Sequence, residues 1–116
     1  MQYLLLIYGN EKSQADMPAE ARQAMMGEWF KYTNDMKDAG VYVGGNALQP
    51  VATATSVRLR DGKRVTTDGP FAETKEQLGG YYLVEAKNLD EALDWAEKCP
   101  GSRGGTLEVR PVMVFE

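Results

Sequence analysis

Residues 2–8, QYLLLIY, are apolar on both sides of a two-residue alternation. Tyr3, Leu5 and Ile7 form one set, and Leu4, Leu6 and Tyr8 form the other. A stretch of this kind predicts a strand that is central in its sheet or covered from two sides. Residues 80–86 repeat the feature with Tyr81, Tyr82, Leu83 and Val84. Between these stretches the period changes. Met25, Trp29, Tyr32 and Met36 recur at helical spacing, and Ala21 extends the stripe backwards. This predicts a helix with one apolar face, from Pro18 to about Ala39. Proline suits its first turn. Asp16 or Met17 would sit at its cap, with Asp16 the better acceptor. Gly40 can take the left-handed conformation that ends a helix. Residues 9–17, GNEKSQADM, read as a polar turn.

Val41 to Val43 start a short strand, and Gly44-Gly45 permits a bend or bulge. Residues 54–60 alternate, with Val57 and Leu59 opposed to Ser56, Arg58 and Arg60. Asp61-Gly62 is a two-residue hairpin signal. Lys63 to Thr67 form the return strand, polar enough for an exposed arm. Asn88 caps a second helix, with Glu91 three residues on. Its inner stripe is Leu89, Ala92, Leu93, Ala96 and Cys99, and Pro100-Gly101 ends it. A last strand runs from about Thr106 to Val114, where Leu107 and Val109 alternate with Glu108 and Arg110.

The order is β-α-β, a β-hairpin, then β-α-β. It predicts one α+β domain over residues 1–116, of the ferredoxin-like split βαβ class with an antiparallel sheet. Two helices can cover only one face of that sheet, yet its two most apolar strands are apolar on both. A second copy of the chain, its sheet packed against the first, is the economical cover. The pattern thus predicts a homodimer, a dimeric α+β barrel.

Composition narrows the function. The 116 residues carry 13 Lys and Arg against 17 Asp and Glu, a net charge of −4. Nucleic-acid binding draws on clustered basic residues. The basic residues here are scattered, so no direct nucleic-acid contact is expected. No apolar stretch approaches the ~20 residues that span a bilayer, and MQYLLLIYG lacks a basic region and a cleavage site. No membrane association is expected, and the cytoplasm is the simplest location. The chain has no histidine and one cysteine, Cys99. Histidine-based triads and zinc sites are thereby excluded, and no cofactor is expected.

MQYLLLIYG, VGGNALQP, TDGPFAETKEQLGGYYLVE, LDEALDWAEKCP and EVRPV, in this order, resemble the DGPF branch of the YCII-related family. The resemblance covers nearly the whole chain, and its DGPFAETKEQLGGYYL block is long and specific. It implies a dimeric α+β barrel, a bacterial cytoplasmic protein, and a regulatory setting beside sigma factors of the extracytoplasmic-function type. Other members have a His–Asp pair proposed to be catalytic. That pair has no counterpart in a chain without histidine.

Six residues are candidates for a ligand site. Asp68 opens the turn Asp68-Gly69-Pro70, which is either plain turn chemistry or the mouth of a pocket. Glu73 and Lys75 follow, in a solvated loop or at the edge of a cleft at the dimer sheet. Arg110 is either half of a structural ion pair, with Glu108 or Glu73, or an anchor for an anion. Asn46 serves the Gly44-Gly45 turn or lines the same cavity. Tyr81 and Tyr82 point to opposite faces, one under a helix and the other into the dimer interface. Tyr82 is the candidate carried forward. Cys99 and the Met25, Met26, Trp29 group read as core. Two functions fit: a non-enzymatic module that binds a small molecule or a protein partner in a sigma-factor pathway, or a cofactor-free enzyme working between helix and sheet. The missing histidine and metal ligands favour the first.

Overall fold

The computed structural model describes residues 1–115. The elements in order are β1 (Gln2–Gly9), α1 (Glu11–Ala15), α2 (Ala19–Asp38), β2 (Tyr42–Ala47), β3 (Thr55–Arg60), β4 (Lys63–Asp68), β5 (Gln77–Glu85), α3 (Leu89–Lys98) and β6 (Thr106–Pro111). Short 3-10 turns cover Val51–Thr53 and Pro100–Ser102. The main sheet has the order β2-β5-β1-β6 with every neighbouring pair antiparallel. The doubly apolar β1 and β5 are its two central strands, as their pattern requires. The fold is α+β and ferredoxin-like, with β3 and β4 forming a separate two-stranded sheet.

Register fixes the two faces. Leu5 pairs with Tyr82 and Val109, and Tyr3 pairs with Val84. Directly opposed residues share a face, and this face lies under the helices. Its Tyr3, Leu5 and Val84 join Tyr32 and Met36 of α2 and Ala92, Ala96 and Cys99 in the core. Leu5, Met36 and Val84 are fully excluded from water. Burial of each such side chain contributes about 1.5–3 kcal/mol. The other face carries Leu4, Leu6 and Tyr8 of β1, Tyr81 and Leu83 of β5, and Glu108 and Arg110 of β6.

Helix ends follow local chemistry. Gly40, at φ 75°, closes α2, and the Asn88 side chain accepts from the Glu91 N–H at 3.0 Å to open α3. The entry to α2 differs from the expectation. Pro18 takes the cap position without a side-chain bond, and Asp16 instead ends α1. That short helix, absent from the turn expected over residues 9–17, is opened by Asn10, whose side chain accepts from the Ser13 N–H. In α3, Leu89 and Leu93 are 48% and 45% exposed. The helix is rolled so that only Ala92, Ala96 and Cys99 of the expected stripe face the sheet. β6 ends at Pro111, three residues before the expected end, with one further bond from the Val112 N–H to the Gln2 carbonyl at 2.9 Å.

β2 carries its irregularity between Tyr42 and Gly44. Gly45 has a packing reason: a β-carbon there would meet the Tyr82 ring and the Tyr81 carbonyl, both at 2.8 Å. Asp61 and Gly62, at φ 50° and 76°, form the tight turn joining β3 to β4. The resulting hairpin projects. The radius of gyration is 16.3 Å, against ~13 Å for a compact chain of this length.

Leu5→Ala is expected to cost about 3 kcal/mol, because the cavity forms between two covered layers, whereas Phe71→Ala, 79% exposed, changes stability by less than ~0.5 kcal/mol. Denaturant unfolding measures both. Equal losses would place the core elsewhere.

Candidate functional site

Three groupings of polar and aromatic side chains stand out, and they lie on different sides of the sheet. The first is the uncovered sheet face. Asn46 and Tyr81 are cross-strand partners there, and Asn46 Nδ2 donates to Tyr81 Oη at 2.8 Å. Leu6 sits opposite Tyr81, with Glu108 on its far side, and Leu4 lies between Leu83 and Arg110. A half-buried leucine surface therefore carries one amide–phenol pair at one edge and a carboxylate and a guanidinium at the other. Glu108 and Arg110 are exposed. Among the described residues neither is in an ion pair, so the structural pairing expected for Arg110 is not formed within one chain.

The second grouping lies between α2 and the sheet. The Tyr82 ring stacks on Trp29 at 6.3 Å and meets Tyr32 and Tyr42 edge-on at 5.5 and 6.2 Å. Tyr82 Oη and Thr33 Oγ1 are 2.8 Å apart. Desolvation pushes the Tyr82 phenol above its ordinary pKa, against the pull of the Thr33 hydrogen bond. Tyr82 is thus the tyrosine under the helix and Tyr81 the one on the open face. Tyr32 donates to the Trp95 carbonyl at 2.7 Å and is likewise held neutral by burial. Cys99 lies beneath these rings, 1% exposed. Burial pushes its thiol up from 9.0 to about 11. It is a packing residue rather than a nucleophile.

The third grouping is the connector from β4 to β5. Gly69, at φ 93°, turns the chain out of the hairpin, and its N–H donates to the Ala54 carbonyl while its own carbonyl accepts from Ser56 Oγ. Pro70 then fixes the exit. The far end is tied to the body. Thr106 Oγ1 donates to Glu76 at 2.8 Å, Asn10 Nδ2 donates to the Lys75 carbonyl, and Gln77 accepts from the Glu11 N–H. Glu11 in turn accepts from the Val51 N–H at 3.1 Å. Glu76, Gln77 and Glu11 are structural acceptors here. Asp68, Glu73 and the Lys75 side chain are exposed.

The six candidates are therefore not gathered in one place. Asn46 and Arg110 share the open face, Tyr82 lies on the opposite face, and Asp68, Glu73 and Lys75 follow the connector. A shallow groove of about 290 Å³ runs between α2 and the end of α3, lined by Tyr32, Trp95, Lys98 and Arg103 among others, and none of the six reaches it. Several of its charges have partners: Arg103 pairs with Glu28, Lys31 with Asp35, and Lys98 sits over the Trp95 ring at 4.7 Å. The Arg103 guanidinium holds the Glu28 carboxyl below its ordinary pKa. Sequence reasoning passed over Thr33 and Trp29 as partners of Tyr82. Their helical spacing of four was the available signal. Among the described residues no cluster of His, Cys, Asp and Glu could hold a metal ion, and no helix is long and apolar enough to cross a membrane.

The YCII-related domain model matches residues 1–116. The chain belongs to the YCII-related family. It is 34% identical over 118 residues to an uncharacterised protein of Rhizobium meliloti (strain 1021), covering all of this chain and 95% of that protein. Among solved structures it is similar to the 5-chloro-2-hydroxyhydroquinone dehydrochlorinase of Burkholderia phenoliruptrix AC1100 in complex with 2,5-dihydroxybenzoquinone. The TM-score is 0.52 at 15% identity, over 97% of this chain and 94% of that one. This likeness establishes a shared fold.

The buried thiol and phenols give the YCII-related chain an alkaline weakness. The Cys99 proton is held to about pH 11 in the folded state and lost near pH 9 on unfolding. Between those values the folded state binds more protons, so stability falls as pH rises. Unfolding free energy measured from pH 7 to 11 should decline above about pH 9, less steeply in Cys99→Ala. A flat profile would contradict the burial of these groups.

Proposed function

We propose that this YCII-related chain is one protomer of a homodimeric small-ligand-binding or regulatory accessory module of the DGPF branch, serving sigma-factor-type transcription control in a bacterial cytoplasm. The observation that carries the reading is the half-buried leucine face of the sheet. Leu4, Leu6 and Leu83 lie on it beside the Asn46–Tyr81 pair and Arg110. In the proposed dimer two such faces meet, with stacked sheets ~10 Å apart. Apolar walls with a few convergent polar groups are the usual make-up of a ligand site. A guanidinium fork suits a carboxylate, and the Asn46–Tyr81 pair suits a hydroxyl or carbonyl. The ligand class is therefore a small organic anion. Asp68, Glu73 and Lys75 serve as charged groups at the mouth of the cleft.

A second reading, a cofactor-free enzyme, is favoured by the Trp29–Tyr82–Thr33 arrangement between helix and sheet and by the fold shared with a dehydrochlorinase. In that reading Tyr82 is the acid–base group and a hydroxylated aromatic ring stacks in the cleft. The warrant from fold is analogy.

Thermal unfolding with a panel of aromatic carboxylates and hydroxyquinones separates the two. A ligand at a hundred times its Kd stabilises by about 2.7 kcal/mol. The binding reading expects a compound that raises Tm unchanged in composition, with the shift lost in Arg110→Gln. Consumption of a compound, abolished in Tyr82→Phe and unaffected by Arg110→Gln, would replace it with the enzyme reading.

A further inference from the structure

Among the described residues no helix or strand packs extensively against the β3–β4 hairpin. Every residue of β4 is exposed, and Val57 and Leu59 of β3 are 63% and 73% exposed. A lone two-stranded hairpin is marginal in water. Val57 and Leu59 lie on one face with Thr66 and Arg64 opposite them, while Arg58, Arg60 and Lys63 crowd the other. Arg60 and Lys63 are directly opposed, and like charges in that relation destabilise a sheet. Among the described residues none of these four cations is in an ion pair. The arm is built to meet an apolar surface bearing carboxylates.

The chain supplies one. Four basic residues against Asp61 and Asp68 give residues 55–68 a charge of +2, so the rest of a chain of net −4 carries −6. On that body, α3 sets exposed Leu89 and Leu93 beside Asp90 and Asp94. Six residues per strand give the arm a reach of ~20 Å, twice the ~10 Å between packed sheets.

We propose that the β3–β4 hairpin is an exchange arm, which seats its Val57–Leu59 face, with Arg64 opposite Leu59, on the acidic body of a second copy. The inference rests on the homodimer proposed above and adds a reciprocal clasp to it, with two arms per dimer by symmetry. The clasp also accounts for the Asp68-Gly69-Pro70 turn, which sets the angle at which the arm leaves the body.

Amide hydrogen exchange of residues 56–67 tests it, read beside the mass of the assembly. The comparison is between wild-type protein and the Leu6→Lys, Leu83→Lys double variant, with dilution of the wild type as a second route to the monomer. Arm amides should exchange at least tenfold more slowly in the dimer than in either monomer. Val57→Asp with Leu59→Asp should release the arm while the sheet-face dimer persists. A wild-type dimer whose arm exchanges fast, or equally slowly in dimer and monomer, would overturn the clasp and leave the dimer standing. A monomeric wild type overturns both. Slowing that appears only on adding duplex DNA would assign the arm to a nucleic acid and overturn the clasp.

Discussion

Two helices can cover only one face of a four-stranded sheet, and the rest of this structure answers to that constraint. β1 and β5 are apolar on both faces and occupy the two central positions. α2 and α3 close over Tyr3, Leu5, Tyr82 and Val84 and bury them among Tyr32, Met36 and Cys99. The other half of the same strands, Leu4, Leu6, Tyr81 and Leu83, lies under no helix of the described residues and is half-buried. A leucine on that face loses much of the ~0.8 kcal/mol per methylene that burial provides. The sequence keeps leucines there, and a second sheet is the cover that fits their period.

The aromatic layer shows how the covered face is made specific. The Tyr82 ring centre lies within 6.3 Å of those of Trp29, Tyr32 and Tyr42, and Trp29 meets Tyr32 at 6.5 Å. Gly45 leaves room for the Tyr82 ring to cross β2. Such pairs add about 0.5–1.5 kcal/mol each beyond the area they bury. Hydrogen bonds from Tyr32 to the Trp95 carbonyl and between Tyr82 and Thr33 remove the cost of taking phenols out of water. The helix side is closely packed, and the open side carries the Asn46–Tyr81 pair at one edge and Glu108 and Arg110 at the other.

Much of this was legible in the residues. The double alternation of QYLLLIY and YYLV identified the central strands, Gly40 and Asp61-Gly62 marked boundaries through the positive φ they adopt, and Asn88 marked one through its capping side chain. Asp16 misled because two cap-like residues stand near one helix start, and Asn10 opens a short helix that propensity alone does not reveal. Leu89 and Leu93 misled because an apolar stripe does not state which of its edges meets the sheet. The site was less legible for a different reason. A one-residue change of register moves every side chain to the other face. Only the observed pairing of Leu5 with Tyr82 and of Asn46 with Tyr81 tells which tyrosine lies under α2. The connector of Asp68, Glu73 and Lys75 has no period at all, and its course is set by distant anchors such as Thr106 and Asn10.

The central claim is that the open leucine face is an interface between two copies of the chain. Native mass spectrometry of freshly purified protein, under conditions that preserve complexes, tests it most directly. The account predicts a species of twice 12.9 kDa, carrying added mass if a ligand stays bound between the sheets. A chain that remains at 12.9 kDa across micromolar concentrations would contradict it.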